Sequence, residues 1–158
     1  MGAGKLFCII GGVITLLATF LFSLASVEIL GVTFYLYYIG LLRNLGLIFG
    51  GGDMVVTIVA IVFLVCMISG FLILVGAKSR AVAIIGSILA ILLGSLLLLA
   101  LYGALPPEMT MYIFLFFNDA LVPGIIPLDI ALGTASLGTF LFLGGGVLGL
   151  VGGIMGPD

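Results

Sequence analysis

A chain of 158 residues that is 65% hydrophobic and only 6% charged lies outside the range of soluble globular domains, where about a quarter of residues are charged. Its net charge of −2 gives no basis for electrostatic capture of nucleic acid. With no histidine, the usual zinc, copper and His-ligated haem sites, Ser-His or Cys-His catalysis and histidine proton relays are all excluded.

The four basic and six acidic side chains fall outside four apolar runs, residues 6–27, 54–77, 81–105 and 130–156. The first run, at about 1.5 Å per helical residue, is about 33 Å long and crosses a hydrocarbon core of about 30 Å. The pattern predicts an all-α membrane protein, a four-transmembrane-helix bundle forming a single membrane domain over residues 1–158. Ser23, Ala25 and Ser26 offer the small residues of a signal-peptide cleavage site, but the run exceeds an h-region of about 7 to 15 residues, so a retained helix is expected. Cys8 and Cys66 lie at different depths in their spans, about 12 Å apart along the bilayer normal, too far to form a disulfide.

Gly11, Thr15, Thr19 and Ser23 recur every fourth position in the first span and share one helical stripe. Between helices in lipid the available adhesives are close backbone approach and hydroxyl hydrogen bonds, which small-xxx-small patterns supply. The stripe is therefore expected to be a helix-packing or interface surface. The same device recurs as Gly86, Ala90 and Gly94 in the third span and as Gly145, Gly149 and Gly153 in the fourth.

The first loop, residues 28–53, opens with an aromatic and β-branched stretch at 31–39 that reads as a strand. Residues 40–49 follow as a short interfacial helix with Arg43 and Asn44 toward water. Gly50-Gly51-Gly52 precedes Asp53, which is expected to cap the second span. The Gly-Gly-Gly-Asp string resembles the G-x-G-D pattern of presenilin-type intramembrane aspartyl proteases. That family's second aspartate within a neighbouring span has no counterpart, because Asp119 and Asp129 fall in the second loop.

Lys78-Ser79-Arg80 leaves only a turn between spans two and three, which must form an antiparallel hairpin. The second loop, residues 106–129, begins with Pro106-Pro107-Glu108, a helix start, and continues through the apolar segment 109–117, too short to cross a bilayer. Asp129 is expected at the start of the fourth span. Tyr35, Tyr37, Tyr38, Tyr112, Phe114, Phe116 and Phe117 are candidate contact residues of the two loops, as an aromatic belt or a partner surface.

Lys5, Lys78 and Arg80 share one side, against Arg43 alone on the other, so both termini are expected in the cytoplasm of a multi-pass cell-membrane protein. Glu28, Asp53, Glu108, Asp119 and Asp129 then lie outside. No carboxylate lies within a span, where ion-coupled carriers place one, and no acidic spacing resembles a calcium loop. The topology looks like that of claudins and tetraspanins, without the tryptophan and paired cysteines of the former or the Cys-Cys-Gly of the latter.

These features predict a non-enzymatic structural or accessory subunit without cofactor or metal. Its expected partners are the lipid bilayer and either further copies of itself, as a homo-oligomer, or other membrane protein subunits, met through small-residue faces and apolar loops. The alternative is a small oligomeric channel or transporter whose pore is lined by Gly11, Thr15, Thr19 and Ser23. A membrane enzyme ranks third.

Overall fold

The computed structural model describes residues 2–156. Four helices are long and apolar enough to cross a membrane: Ala3–Phe20, Met54–Lys78, Arg80–Leu101 and Leu137–Met155. In chain order the elements are α1 (Ala3–Phe20), β1 (Ala25–Ile29), β2 (Val32–Leu36), α2 (Tyr38–Gly50), α3 (Met54–Met67), α4 (Ser69–Val75), a 3₁₀ turn (Gly76–Lys78), α5 (Arg80–Leu101), α6 (Pro107–Phe114), β3 (Ala131–Leu132), β4 (Ala135–Ser136) and α7 (Leu137–Met155). Lys5 and the Lys78 turn lie toward one end of the bundle, the basic end. Both hairpins, α2 and α6 occupy the other, the loop end.

The all-α expectation needs correcting at the loop end, where two antiparallel hairpins form. β1 pairs with β2 from Ala25 opposite Leu36 to Ile29 opposite Val32. β3 pairs with β4 around a turn at Gly133, which has φ +89°. Both hairpins consume residues that hydropathy assigns to spans. The first span stops at Phe20 rather than at residue 27, because the Ser23 N–H donates to Leu128 O at 3.0 Å and the Leu24 N–H to Leu36 O at 2.8 Å. The fourth begins at Leu137 rather than at 130, because Ala131 to Ser136 are committed to the hairpin. Asp129 is consequently not a helix cap. The third ends at Leu101 rather than 105, where Gly103, at φ +73°, lets the Ala104 N–H turn back onto Leu99 O at 2.8 Å.

Span two is two helices. It breaks at Ile68, whose ψ of −2°, at an ordinary φ of −78°, is far from the helical value of about −42°, immediately before the Ser69-Gly70 pair. Gly/Ser pairs are a recognised cause of sharp helix kinks. Below the break α4 packs tightly on α1 and α5: a Cβ at Gly70 would come within 3.0 Å of Leu16 N, and one at Gly86 within 2.7 Å of Leu72 Cβ. Above it α3 lacks glycine and meets α5 far less closely than α4 does. The expected helix at 40–49 is α2, one residue longer at its C-terminal end and two at its N-terminal end. The expected helix through 117 stops at Phe114, and the chain from Leu115 turns to pair Asn118 with Tyr35.

Candidate functional site

The small-residue positions converge on the inside of the monomer. α1 and α7 run antiparallel in the closest helix pair, and Gly11, Thr15, Thr19 and Ser23 are all buried against it or at its end. A Cβ at Gly11 would sit 2.6 Å from both Gly145 O and Gly149 N, so the two backbones touch there. Gly149 also faces α4 and α5, with Ile73 Cγ2 and Ser87 Oγ each 2.6 Å from where its Cβ would be. Gly94 accepts Leu143, Gly153 accepts Ile84, and Ala90 lies beside Gly146. Gly86 receives α4 as described above. The ten positions expected to form packing or interface surfaces are therefore buried inside one chain, nine of them on its helices and Ser23 in the loop at the end of the α1–α7 seam.

The hydroxyls of this seam are turned onto backbone. Thr15 Oγ1 donates to Gly11 O at 2.8 Å, Thr19 Oγ1 to Thr15 O at 2.7 Å and Ser87 Oγ to Ala83 O at 2.6 Å. With Thr15 and Thr19 at most 1% exposed, this stripe lines no lumen of the monomer.

Where α1 ends, a carboxylate gathers the two loops. Asp129 Oδ1 accepts the buried Ser23 hydroxyl and, at 2.6 Å, the buried Ser136 hydroxyl, while Thr139 Oγ1 donates to Leu24 O. Backbone bonds flank this node: Leu128 N–H to Leu21 O at 2.7 Å and Ser136 N–H to Leu24 O at 3.2 Å. A hydroxyl buried without a partner costs about 1–3 kcal/mol, so Asp129 stabilises two positions at once.

A second knot joins α2 to the segment after α6. Asn118 Nδ2 donates to Asn44 Oδ1 at 2.8 Å, and Asn44 Nδ2 donates to Phe117 O at 3.3 Å. The Tyr37 hydroxyl donates to Asp119 O at 2.7 Å, and Arg43 forms an ion pair with Asp119 at 2.9 Å. Both side chains of that pair are largely exposed, which limits it to at most about 1 kcal/mol. Asp53 caps α3, accepting from Val55 N at 2.8 Å and Val56 N at 3.2 Å.

The seven aromatic contact candidates separate by burial. Tyr37 and Phe116 are fully buried, the latter against Phe63 with ring centroids 5.0 Å apart, so these two are core and not contact surface. Tyr38 lies edge-on to Phe20 at 5.1 Å, and Phe114 stacks on Phe117 at 5.5 Å. Tyr35 and Tyr112 are half-buried and Phe114 is exposed. A crevice of about 240 Å³ opens between α3, α5 and α6, lined by Val55, Ile58, Val62, Phe63, Leu96 and Tyr112 among others. Among the described residues, no three of Cys, Asp and Glu gather closely enough to hold a metal ion, and Cys8 and Cys66 are free and buried.

Compared with protein-family models, with curated proteins and with solved structures, the chain matches none.

The loop end also exposes apolar side chains that serve no packing purpose in the monomer. At the β1–β2 turn Leu30 and Gly31 both have positive φ, +52° and +79°, as in a type I′ turn. Asn or Gly is the usual first residue there, and a branched residue in the left-handed region costs about 1–2 kcal/mol. Leu30 is nonetheless 99% exposed, and Leu47 on α2 is 80% exposed. The Asp129 node and the Leu30 tip are functional candidates that reading the sequence did not single out. A Leu-Gly pair between two β-branched stretches was the available signal for the tip.

Proposed function

We propose that this protein is a non-enzymatic, membrane-embedded structural or accessory subunit, assembling with itself or with another membrane protein through the apolar loop end. The basic end faces the cytoplasm in this reading, following the excess of Lys5, Lys78 and Arg80 over Arg43. Support for an assembly role rests on Leu30. This side chain stabilises nothing within the monomer and occupies a backbone conformation that disfavours it, a combination that a partner surface accounts for. Exposed Ile29, Val32 and Leu47 extend the same apolar character. The helix faces first expected to meet a partner are occupied within the chain, which moves the proposed contact to the loops.

The non-enzymatic part of the reading rests on the side-chain inventory: no histidine, and carboxylates confined to the loops and the extreme C-terminus. The test is Leu30→Asn in native membranes, read by cross-linking and native mass determination. Asn accepts the left-handed conformation, so the monomer is expected to gain about 1 kcal/mol while association falls at least about tenfold. A wild-type chain that is monomeric and without a stable membrane partner overturns the proposal. Labelling of single cysteines near Lys78 and at Leu30 with an impermeant maleimide tests the orientation.

A further inference from the structure

We infer that span two is hinged at Ile68–Ser69, so that α3 moves as a unit against a fixed α4 and widens or closes the crevice between α3, α5 and α6. Ser69 provides the first observation. Its Oγ is the one buried side-chain polar atom without a hydrogen-bond partner among the described residues, and the residue is 0% exposed. Five other helical hydroxyls in this chain donate to the carbonyl four residues earlier, Thr15 to Gly11, Thr19 to Thr15, Thr57 to Asp53, Ser87 to Ala83 and Thr110 to Pro106, while Thr139 donates across the seam to Leu24 O. The corresponding acceptor for Ser69 is Val65 O, which lies across the break. A continuous span two restores that bond, so the orphaned hydroxyl favours a second, straighter conformer.

The second observation is the division of packing along the span. α4 is held by backbone-close contacts at Gly70 and Gly86, and the 3₁₀ turn after it by one at Gly76, so that it cannot shift without disturbing α1 and α5. α3 carries Val, Ile, Leu, Met or Phe at all positions but Thr57, Ala60 and Cys66, with Val55, Ile58, Ile61, Val62 and Val65 exposed on its surface. It borders the 240 Å³ crevice for much of its length. Its far end follows Gly51 and Gly52, which absorb a change of direction, Gly52 already at φ +70°. A stiff segment between a Ser-Gly joint and a glycine link, with free volume beside it, has the mechanical parts of a hinged arm. This inference does not depend on the proposed assembly role.

Paired spin labels at Ile61 and Leu99, in the full chain carrying Cys8→Ala and Cys66→Ala in phosphatidylcholine bilayers, test it. A control pair at Val75 and Ile85 reports α4 against α5. Two distance populations are expected for the first pair and one for the control, with Ser69→Ala reducing the straighter population about fivefold or more by removing the bond that favours it. A single narrow distribution for Ile61 and Leu99 overturns the hinge. Two populations indifferent to Ser69→Ala overturn its assignment to Ser69. The unmodified chain gives an independent reading: amides at Ile68 to Gly70 are expected to exchange at least about tenfold faster than those in the middle of α7, and equal protection counts against the hinge.

Discussion

The α1–α7 seam and the α3 side of the bundle are both apolar helix surfaces, yet they are organised in opposite ways. Along the seam glycines remove side chains from the interface, so that Gly11 meets Gly145 and Gly149 backbone to backbone and the Thr15 and Thr19 hydroxyls fold back onto their own helix. On the α3 side bulky aliphatic residues prevent such approach, leave a crevice and turn a broad face outward. Hydrophobicity alone does not distinguish these surfaces. In lipid, where apolar side chains gain little by leaving one another's company, the size of the residue decides whether two helices lock or merely lie alongside.

The contrast breaks most severely at Gly145. A leucine there would drive its side chain into Gly11 O and the Thr15 backbone, positions fixed by two helices, so Gly145→Leu is expected to lose more than about 3 kcal/mol and to fail to fold. Thermal unfolding in mild detergent and recovery of monodisperse protein measure this. A variant as stable as the parent would mean that the seam is not closed.

Next in size is Asp129→Ala, which strands the Ser23 and Ser136 hydroxyls at the end of the seam. About 1–3 kcal/mol is expected for each. Asp129→Asn, which keeps a carbonyl acceptor, should recover at least half of the loss in the same unfolding measurement. Equal losses for the two variants would instead assign the role of Asp129 to its charge.

The smallest effect sharpens the comparison within a single turn of α7. Gly144 adjoins Gly145 in sequence but faces outward, with open space where a Cβ would be. Gly144→Ala should therefore raise stability by about 0.5–1 kcal/mol through helix propensity. Destabilisation would indicate that this face meets a neighbour.

Span number was legible because four runs free of charge have few alternatives, and the Asp53 cap because an acid directly before an apolar run has a local role. Span ends were less so. Leu21 to Val27 and Ala131 to Ser136 carry no charge and run on without a break from the helices they adjoin, and hydropathy carries no information about whether such residues pair as strands. The Ser23–Asp129 bond joins positions 106 apart in the chain and the Asn44–Asn118 bond positions 74 apart, separations at which local spacing carries no signal. The break at Ile68 had a local signal in Ser69-Gly70, outweighed by the uninterrupted apolar run around it. Small-residue stripes were legible as packing surfaces, whereas whether they pack within the chain depends on helix directions that a stripe does not encode.

The pairing of the two loops has a consequence for the order of synthesis. As α1 leaves the ribosome, the Leu21 carbonyl and the Ser23 N–H at its end belong to Leu128, and the Tyr35 backbone belongs to Asn118. These partners are translated roughly a hundred residues later, at about 5–20 residues per second. The first span and its hairpin must therefore wait for several seconds with their edge groups unmatched, supplied by water or by an escort. A chain interrupted after α5 never receives them, so its first loop stays a recognisably unfinished surface for quality control to act on.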